Sequence, residues 1–377
     1  MKKIALFILI FGMSSSCALL HFLAPGAQNS ILQLSGTKGW VQLGEPVSNL
    51  LGNSANFSFD VDSGGKPYIV IVDTNQEAMV MAFEGSWVEK GKTTGAGIGY
   101  PPILHFINTC PNVAIRNGTG AGYIYDFCTG VPQPVGPGQF ASGFSFFDFK
   151  KDKTEQIYTV FQTNLGASYM LWVKELATNG SSWNNPANYN PVFTSMILSY
   201  LKMEIDQNKH PYVLWTTNST FQLLYQKASN LWTNYTLGKS FYAMGFCITP
   251  ENKIMLLHQS NNIDVYLEVI DISMGVNPAL YTRPVISGVT IDYDAQNVAT
   301  SIKFPQSCYL IGQDNSVMEH KVYRVNQDGS YVKMPDIPEI KGSAARKLFS
   351  SQDGTIYIVF VKSNGTGFNI YTYRLIE

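Results

Sequence analysis

A short apolar run that ends in asparagine returns seven times along the chain, and this periodicity limits the fold more than any other feature. The copies are PYIVIVDTN ending at Asn75, PNVAIRN at Asn117, QIYTVFQTN at Asn164, PYVLWTTN at Asn218, KIMLLHQSN at Asn261, SCYLIGQDN at Asn315 and TIYIVFVKSN at Asn364. Successive asparagines are 42, 47, 54, 43, 54 and 49 residues apart. A period near 48 means an array of like units, each burying its apolar face against a neighbour. Asparagine and glycine tolerate the positive φ of a tight hairpin, and Asn117-Gly118 and Asn364-Gly365 are the pair favoured in two-residue turns. Each copy therefore reads as the second strand of a hairpin.

A second marker runs in step with the first. Trp40, Trp87, Val131, Trp183, Trp232, Tyr281 and Tyr331 follow at 47, 44, 52, 49, 49 and 50 residues. They sit in short contexts such as SWVEKG and LWTNYTLG, which read as an outer strand whose large side chain packs on the neighbouring unit. With ANFSFDVD before and AMVMAFEG after the apolar run, each unit has four strands. Four-stranded repeats of this length resemble the blades of a β-propeller. The chain opens with a lone fourth strand at Trp40 and closes on a third strand, FNIYTYRLIE. The expected fold is thus all-β, a seven-bladed propeller over residues 31–377 in which the N-terminal strand completes the last blade and leaves no open edge. The two 54-residue spacings mark the units expected to depart most from the pattern.

Composition narrows the partners. Aromatic residues make up 13% and glycines number 32, as suits many short strands and turns, whereas charged residues are only 14% with a formal net charge of -1. No basic stripe exists to neutralise phosphates, so nucleic acid is excluded as a partner class. A closed array of this size is one domain and is expected to be a monomer.

Residues 1–27 read as a leader and tether. MKKIALFILIFGM places two lysines before an apolar run too short to span a bilayer. The serines before Cys17 resemble the lipobox of bacterial lipoproteins, with Ser14 where that motif has an aliphatic residue. The resemblance implies lipidation of Cys17; the alternatives are cleavage after Ala18 or near Ala24 to Ala27, and an uncleaved anchor extending to Leu23. All three export the propeller to the cell envelope or beyond, touching membrane only through its N-terminus.

Export makes the other cysteines candidates for disulfides. Cys110 and Cys128 are each nine residues from Thr119, the centre of the turn NGTGA, which places them opposite one another on a hairpin. Cys247 and Cys308 lie on strands of successive units and either bridge the interface or stay as buried thiols. Six N-x-S/T sequons occur, at Asn56, Asn117, Asn179, Asn218, Asn234 and Asn364, and three of them are the turn asparagines already accounted for.

Catalytic signatures are absent. GxSxG, HExxH, CxxC and a phosphate-binding loop do not occur, and TTGAGIGYPP, at 93–102, has no helix behind its glycines and reads as the loop into the second unit. The five histidines have no ligand spacing, so no metal or cofactor is expected. Propeller ligands usually meet the face that carries the loops from fourth to first strands. Tyr100, Phe140, Tyr189 and Tyr242 fall in those loops and are candidates for stacking on a ligand. Asp292 and Asp294 lie in the long loop RPVISGVTIDYDAQN and are candidate carboxylates, with calcium as one ligand that would suit them. DVDSGG, at Asp60 to Gly65, reads as a polar turn.

The resemblance to seven-bladed propellers rests on architecture alone, because the Gly-His and Trp-Asp pairs of WD40 repeats and the double glycine of kelch repeats are missing. It implies a rigid disc with a binding face, and no particular activity. The sequence favours an exported, non-enzymatic propeller that binds a carbohydrate or protein partner. A scaffold subunit of an envelope complex and a glycan-active enzyme with carboxylates at the channel mouth are the alternatives.

Overall fold

A computed structural model describes residues 38–377 apart from 49–55, 108, 167, 195–197, 199, 218–219, 227–231, 241–242, 260, 262, 272–278, 281–283 and 292–296. Cys17 and the leader, and Tyr242, Tyr281, Asp292 and Asp294, therefore lie outside the described residues. All regular elements among the described residues are strands, and no helix there is long and apolar enough to cross a membrane.

Seven antiparallel sheets form seven blades. Blade 1 has the simple pattern, with strands Phe57–Val61, Pro67–Val72, Ala78–Phe83 and Trp87–Lys92 in that order. The first strands of the remaining blades are Ile103–Ile107, Phe144–Lys151, Tyr200–Ile205, Ala243–Ile248, the pair Val289–Ile291 and Val298–Thr300, and Ala345–Ser350. Each first strand touches that of the next blade, and the first blade's touches the seventh's, so the inner strands form a closed ring.

The last blade is completed from the other end of the chain. Gly39–Gln42 pairs with Phe368–Ile376, in the register Gly39 to Ile376 and Gln42 to Tyr373. Trp40 is 8% exposed and its indole N–H donates to the Pro335 carbonyl at 3.0 Å. The expected closure by the N-terminal strand is observed.

The core is a set of interfaces between sheets. Seven clusters of buried apolar residues occur among the described residues, one for each pair of neighbouring blades. Second strands such as Ile69, Val70, Ile71 and Val72, all fully buried, are apolar on both faces because a blade lies on each side. The fourth-strand markers pack as expected: Trp40 joins blade 7 to blade 6, Trp87 packs at the blade 7 and 1 interface, Trp183 at that of blades 2 and 3, and Trp232 at that of blades 3 and 4. Tyr331 departs from this, 45% exposed and set against Tyr323 of its own blade, and Val131 is a second exception. It precedes a fourth strand of only two residues, Gln133–Pro134, and is 62% exposed. In the long third and fifth spacings, the extra residues add the strand Val192–Thr194 to blade 3, the strand Ile286–Ser287 to blade 5 and a broken first strand to blade 6.

The recurrent asparagine works differently from the expectation. None of the described copies has positive φ. Instead, the side-chain oxygen of Asn117 accepts from the N–H groups of Thr119 and Ala121, and those of Asn261 and Asn364 accept likewise from residues two and three further on. Positive φ falls three residues later, on Gly120, whose N–H donates to the Asn117 carbonyl. This is the three-residue hairpin loop with a left-handed last residue, nucleated by an Asx turn. Asp73 does the same for blade 1, and Asp62, Asp152 and Asp206 for the turns between first and second strands. The DVDSGG segment is thus a polar turn from Asp62 onward, while its Asp60 and Val61 belong to the first strand.

Two disulfides cross-link the ring. Cys110–Cys128 has a Cα separation of 4.8 Å and sits two pairs beyond Asn112 and Asp126, the register that the turn centre implied. Cys247–Cys308, at 6.5 Å, joins blades 5 and 6, which decides between the bridge and the buried thiols. Asp126 lies near the first pair, but a disulfide offers no thiolate for a metal.

Candidate functional site

A cavity of about 330 Å³ runs along the axis of the ring. The first strands supply its wall, because their side chains project toward the axis and the next blade. The cavity's upper end, on the face that carries the loops from fourth to first strands, is framed by Tyr100, Pro101 and Pro102. These come from the glycine-rich segment 93–102, which is the loop into blade 2.

Charged residues on the first strands hold the wall. Asp60 Oδ1 accepts from the Val61 N–H at 2.8 Å, and Oδ2 accepts from the Phe106 N–H of blade 2 at 3.2 Å and lies 3.2 Å from His105 Nδ1. Asp148 repeats the pattern two interfaces further round, taking the Phe149 N–H and, from blade 4, the Met203 N–H, each at 2.8 Å. Both aspartates thus spend their oxygens on backbone donors, one on their own strand and one across a blade seam. Among the described residues Glu204 has no such donor; its two oxygens lie 3.4 Å from Lys202 Nζ and 3.6 Å from Lys150 Nζ.

Two of the lysines, Lys202 and Lys347, are tied to backbone carbonyls. Lys202 donates to the Phe246 carbonyl at 3.2 Å and the Val298 carbonyl at 3.4 Å, so one ammonium stitches blades 4, 5 and 6. Lys347 donates to the Phe57 carbonyl at 2.7 Å, with its charge 4.6 Å from the centre of the Phe57 ring. Cys247 occupies, in blade 5, the position that Asp60, Lys150 and Glu204 hold in theirs, two residues before the N–H that closes the first hairpin. There the disulfide replaces the polar bridge between blades.

Burial sets the titration of this cluster. It pushes the Asp148 carboxyl above its usual range despite the opposing pull of Lys150. Burial would do the same to Glu204, but Lys150 and Lys202 together overcome it and hold that carboxyl below its ordinary value. Lys202 is lowered by burial. Lys150 feels the same burial, yet the carboxylates of Glu204, Asp148 and Asp60 leave it raised. One cavity therefore holds two carboxyls whose environments drive them in opposite directions.

Of the candidate residues from the sequence, Tyr100 alone among the described ones lines this cavity, and it is 39% exposed. Phe140 and Tyr189 lie in the expected loops but are turned inward, 6% and 4% exposed. Phe140 lies over Gly122, where a side chain would collide with its ring, and packs against Phe144, Phe161 and Trp183. Tyr189 packs edge-on to Trp232 at 4.9 Å and donates its hydroxyl to the Leu171 carbonyl at 2.7 Å; burial raises its phenol strongly. Neither ring is presented for stacking on a ligand, and each anchors its loop to a blade interface. Tyr242, Asp292 and Asp294 lie outside the described residues. The channel residues Asp60, His105, Asp148, Lys150, Lys202, Glu204 and Lys347 were not foreseen. Their signal is a charged residue within an otherwise apolar strand just before an Asx turn, as in FSFDV, FDFKK and YLKMEI.

No protein-family profile and no curated protein matches the chain. Solved structures match it in fold. A puromycin hydrolase superposes with a TM-score of 0.59 at 11% identity, over 89% of this chain and 55% of that one, so this chain spans about half the hydrolase's length. The polysaccharide lyase Uly1 gives 0.57 at 9% identity, covering 86% and 90%. A protein of unknown function from Dyadobacter fermentans gives 0.51 at 10% identity, covering 89% and 99%. At such identities the likeness establishes the β-propeller and nothing about chemistry.

Proposed function

We propose that this chain is an exported, non-enzymatic β-propeller that binds a carbohydrate or protein partner on its upper face, with the mouth of the central channel as the ligand site. The observation that carries the reading is the cavity of about 330 Å³ with Tyr100, Pro101 and Pro102 at its mouth and charged side chains on its wall. That volume suits one or two sugar rings, and an aromatic beside polar groups is the usual furnishing of such a site. Two disulfides in a chain with five cysteines support an oxidising compartment. A binding role is supported by the channel aspartates, whose oxygens are engaged by backbone N–H groups instead of standing free to move a proton. A glycan-array screen of the full chain tests the reading. Saturable binding that Tyr100→Ala abolishes is the expected result, and absence of binding to every glycan would leave the protein-partner form only.

A glycan-active enzyme is the second reading, favoured by the opposed environments of Asp148 and Glu204, a pattern that suits one acid and one base. Turnover of a bound glycan, lost in Glu204→Gln, would establish it; binding without turnover would dismiss it.

A further inference from the structure

The second strand of blade 2 ends at Arg116, at the rim of the upper face. Its guanidinium lies 4.1 Å from the centre of the Tyr100 ring and 5.6 Å from that of Phe144. Its Nε is buried and makes no hydrogen bond, and among the described residues no carboxylate pairs with it. Two aromatic rings hold the charge in place, but a ring face satisfies none of the five N–H donors of the guanidinium. An arginine kept half-buried without an acceptor is costly unless an acceptor arrives.

The channel carboxylates are already engaged. Asp60 and Asp148 are committed to backbone N–H groups, and Glu204 lies between Lys150 and Lys202. Tyr100 connects the two regions, since the ring beneath Arg116 also lines the cavity that Lys150, Lys202 and Lys347 border. On the wall the three lysines are matched by Asp60, Asp148 and Glu204, so Arg116 is the cation at the mouth that has no counter-charge among the described residues.

We propose that Arg116 and Tyr100 form a subsite for an anionic saccharide, whose carboxylate or sulfate takes the guanidinium fork while its sugar ring enters the channel mouth. This rests on the carbohydrate form of the reading above and names the ligand's chemical class. A planar fork matches a carboxylate in two parallel N–H bonds, and Lys reproduces only the charge.

The side-chain Nε–Hε signals of the five arginines in the ¹⁵N-labelled full chain report on the site directly, with Arg116→Lys assigning the relevant one. Trigalacturonate should shift the Arg116 signal, a sulfated disaccharide tests the other anion, and maltotriose should leave it unmoved. Arg116→Met should weaken trigalacturonate binding by tenfold or more at unchanged melting temperature, and Arg116→Lys should recover only part. Equal binding of maltotriose and trigalacturonate would overturn the inference while leaving the saccharide reading intact. An Arg116 signal that moves with sulfate alone, with no saccharide bound, would overturn both. Should Arg116→Met misfold, the wild-type signals still decide: an unmoved Arg116 resonance in saturating trigalacturonate rejects the subsite.

Discussion

Removing the two disulfides separately should destabilise the ring unequally, and the order follows from their places in the chain. Cys247–Cys308 closes a sequence separation of 61 residues and Cys110–Cys128 one of 18. Chain-entropy arguments give about 4 kcal/mol for the longer loop and about 3 kcal/mol for the shorter. Packing widens the gap. Cys247 and Cys308 are 1% and 0% exposed within the cluster that includes Met255, Leu257 and Leu310, whereas Cys128 is exposed. Truncating two buried sulfurs there forfeits roughly another 1 kcal/mol or more. The assay is urea unfolding of Cys247→Ala/Cys308→Ala beside Cys110→Ala/Cys128→Ala, comparing midpoints at unchanged slope. The inter-blade pair should cost more by about 1 to 3 kcal/mol. An equal or larger loss from the hairpin pair would refute the reasoning, because it would mean that the inter-blade bond does not limit the unfolded chain as its loop length requires.

Trp40→Ala should cost about 3–5 kcal/mol, read as a lowered melting temperature, since it removes the ring-closing contact to Pro335; no change would deny that the seam stabilises the fold. Asp148→Asn replaces one acceptor oxygen by an amide NH2, which only donates, and leaves either Phe149 or Met203 N–H unsatisfied, for a loss of about 1–3 kcal/mol. Glu204 is held below its ordinary 4.5 by two lysines. Its stabilising contribution is present above that value and disappears as pH falls through the lowered one, so Glu204→Gln should lose less stability than wild type on acidification below 4.5, measured by denaturation at each pH. Phe140→Ala should destabilise by about 3–5 kcal/mol with the channel mouth intact, while Tyr100→Ala should leave the melting temperature nearly unchanged and abolish ligand binding; the reverse pattern would misplace the site.

The architecture was legible because each blade repeats the same demands. An apolar second strand, an Asx turn and an aromatic fourth strand recur, and they give the blade number and the closure without any long-range information. The turn mechanism was misread at Asn117 because asparagine has two talents, tolerance of positive φ and a carbonyl oxygen on a short arm, and sequence does not say which is used. Exposure was misjudged at Phe140 and Tyr189 for a related reason. A loop position does not fix where a ring points; Gly122 opens the space that Phe140 fills, and the Leu171 carbonyl draws in the Tyr189 hydroxyl. The channel cluster escaped notice because it draws on first strands 40 or more residues apart, and only closure of the ring brings Asp148 to Met203 or Lys347 to Phe57.

The seam that closes the ring also sets where Lys38 and Glu377 lie. The third strand of blade 7 starts from the upper-face turn at Asn364 and runs to Ile376, where it pairs with Gly39. Lys38 and Glu377 therefore emerge side by side on the face away from Tyr100. A stalk attached before Lys38 would hold the disc like a dish, its hollow turned outward from whatever surface bears it. A tag after Glu377 would do the same on a sensor chip, leaving the mouth of the channel clear.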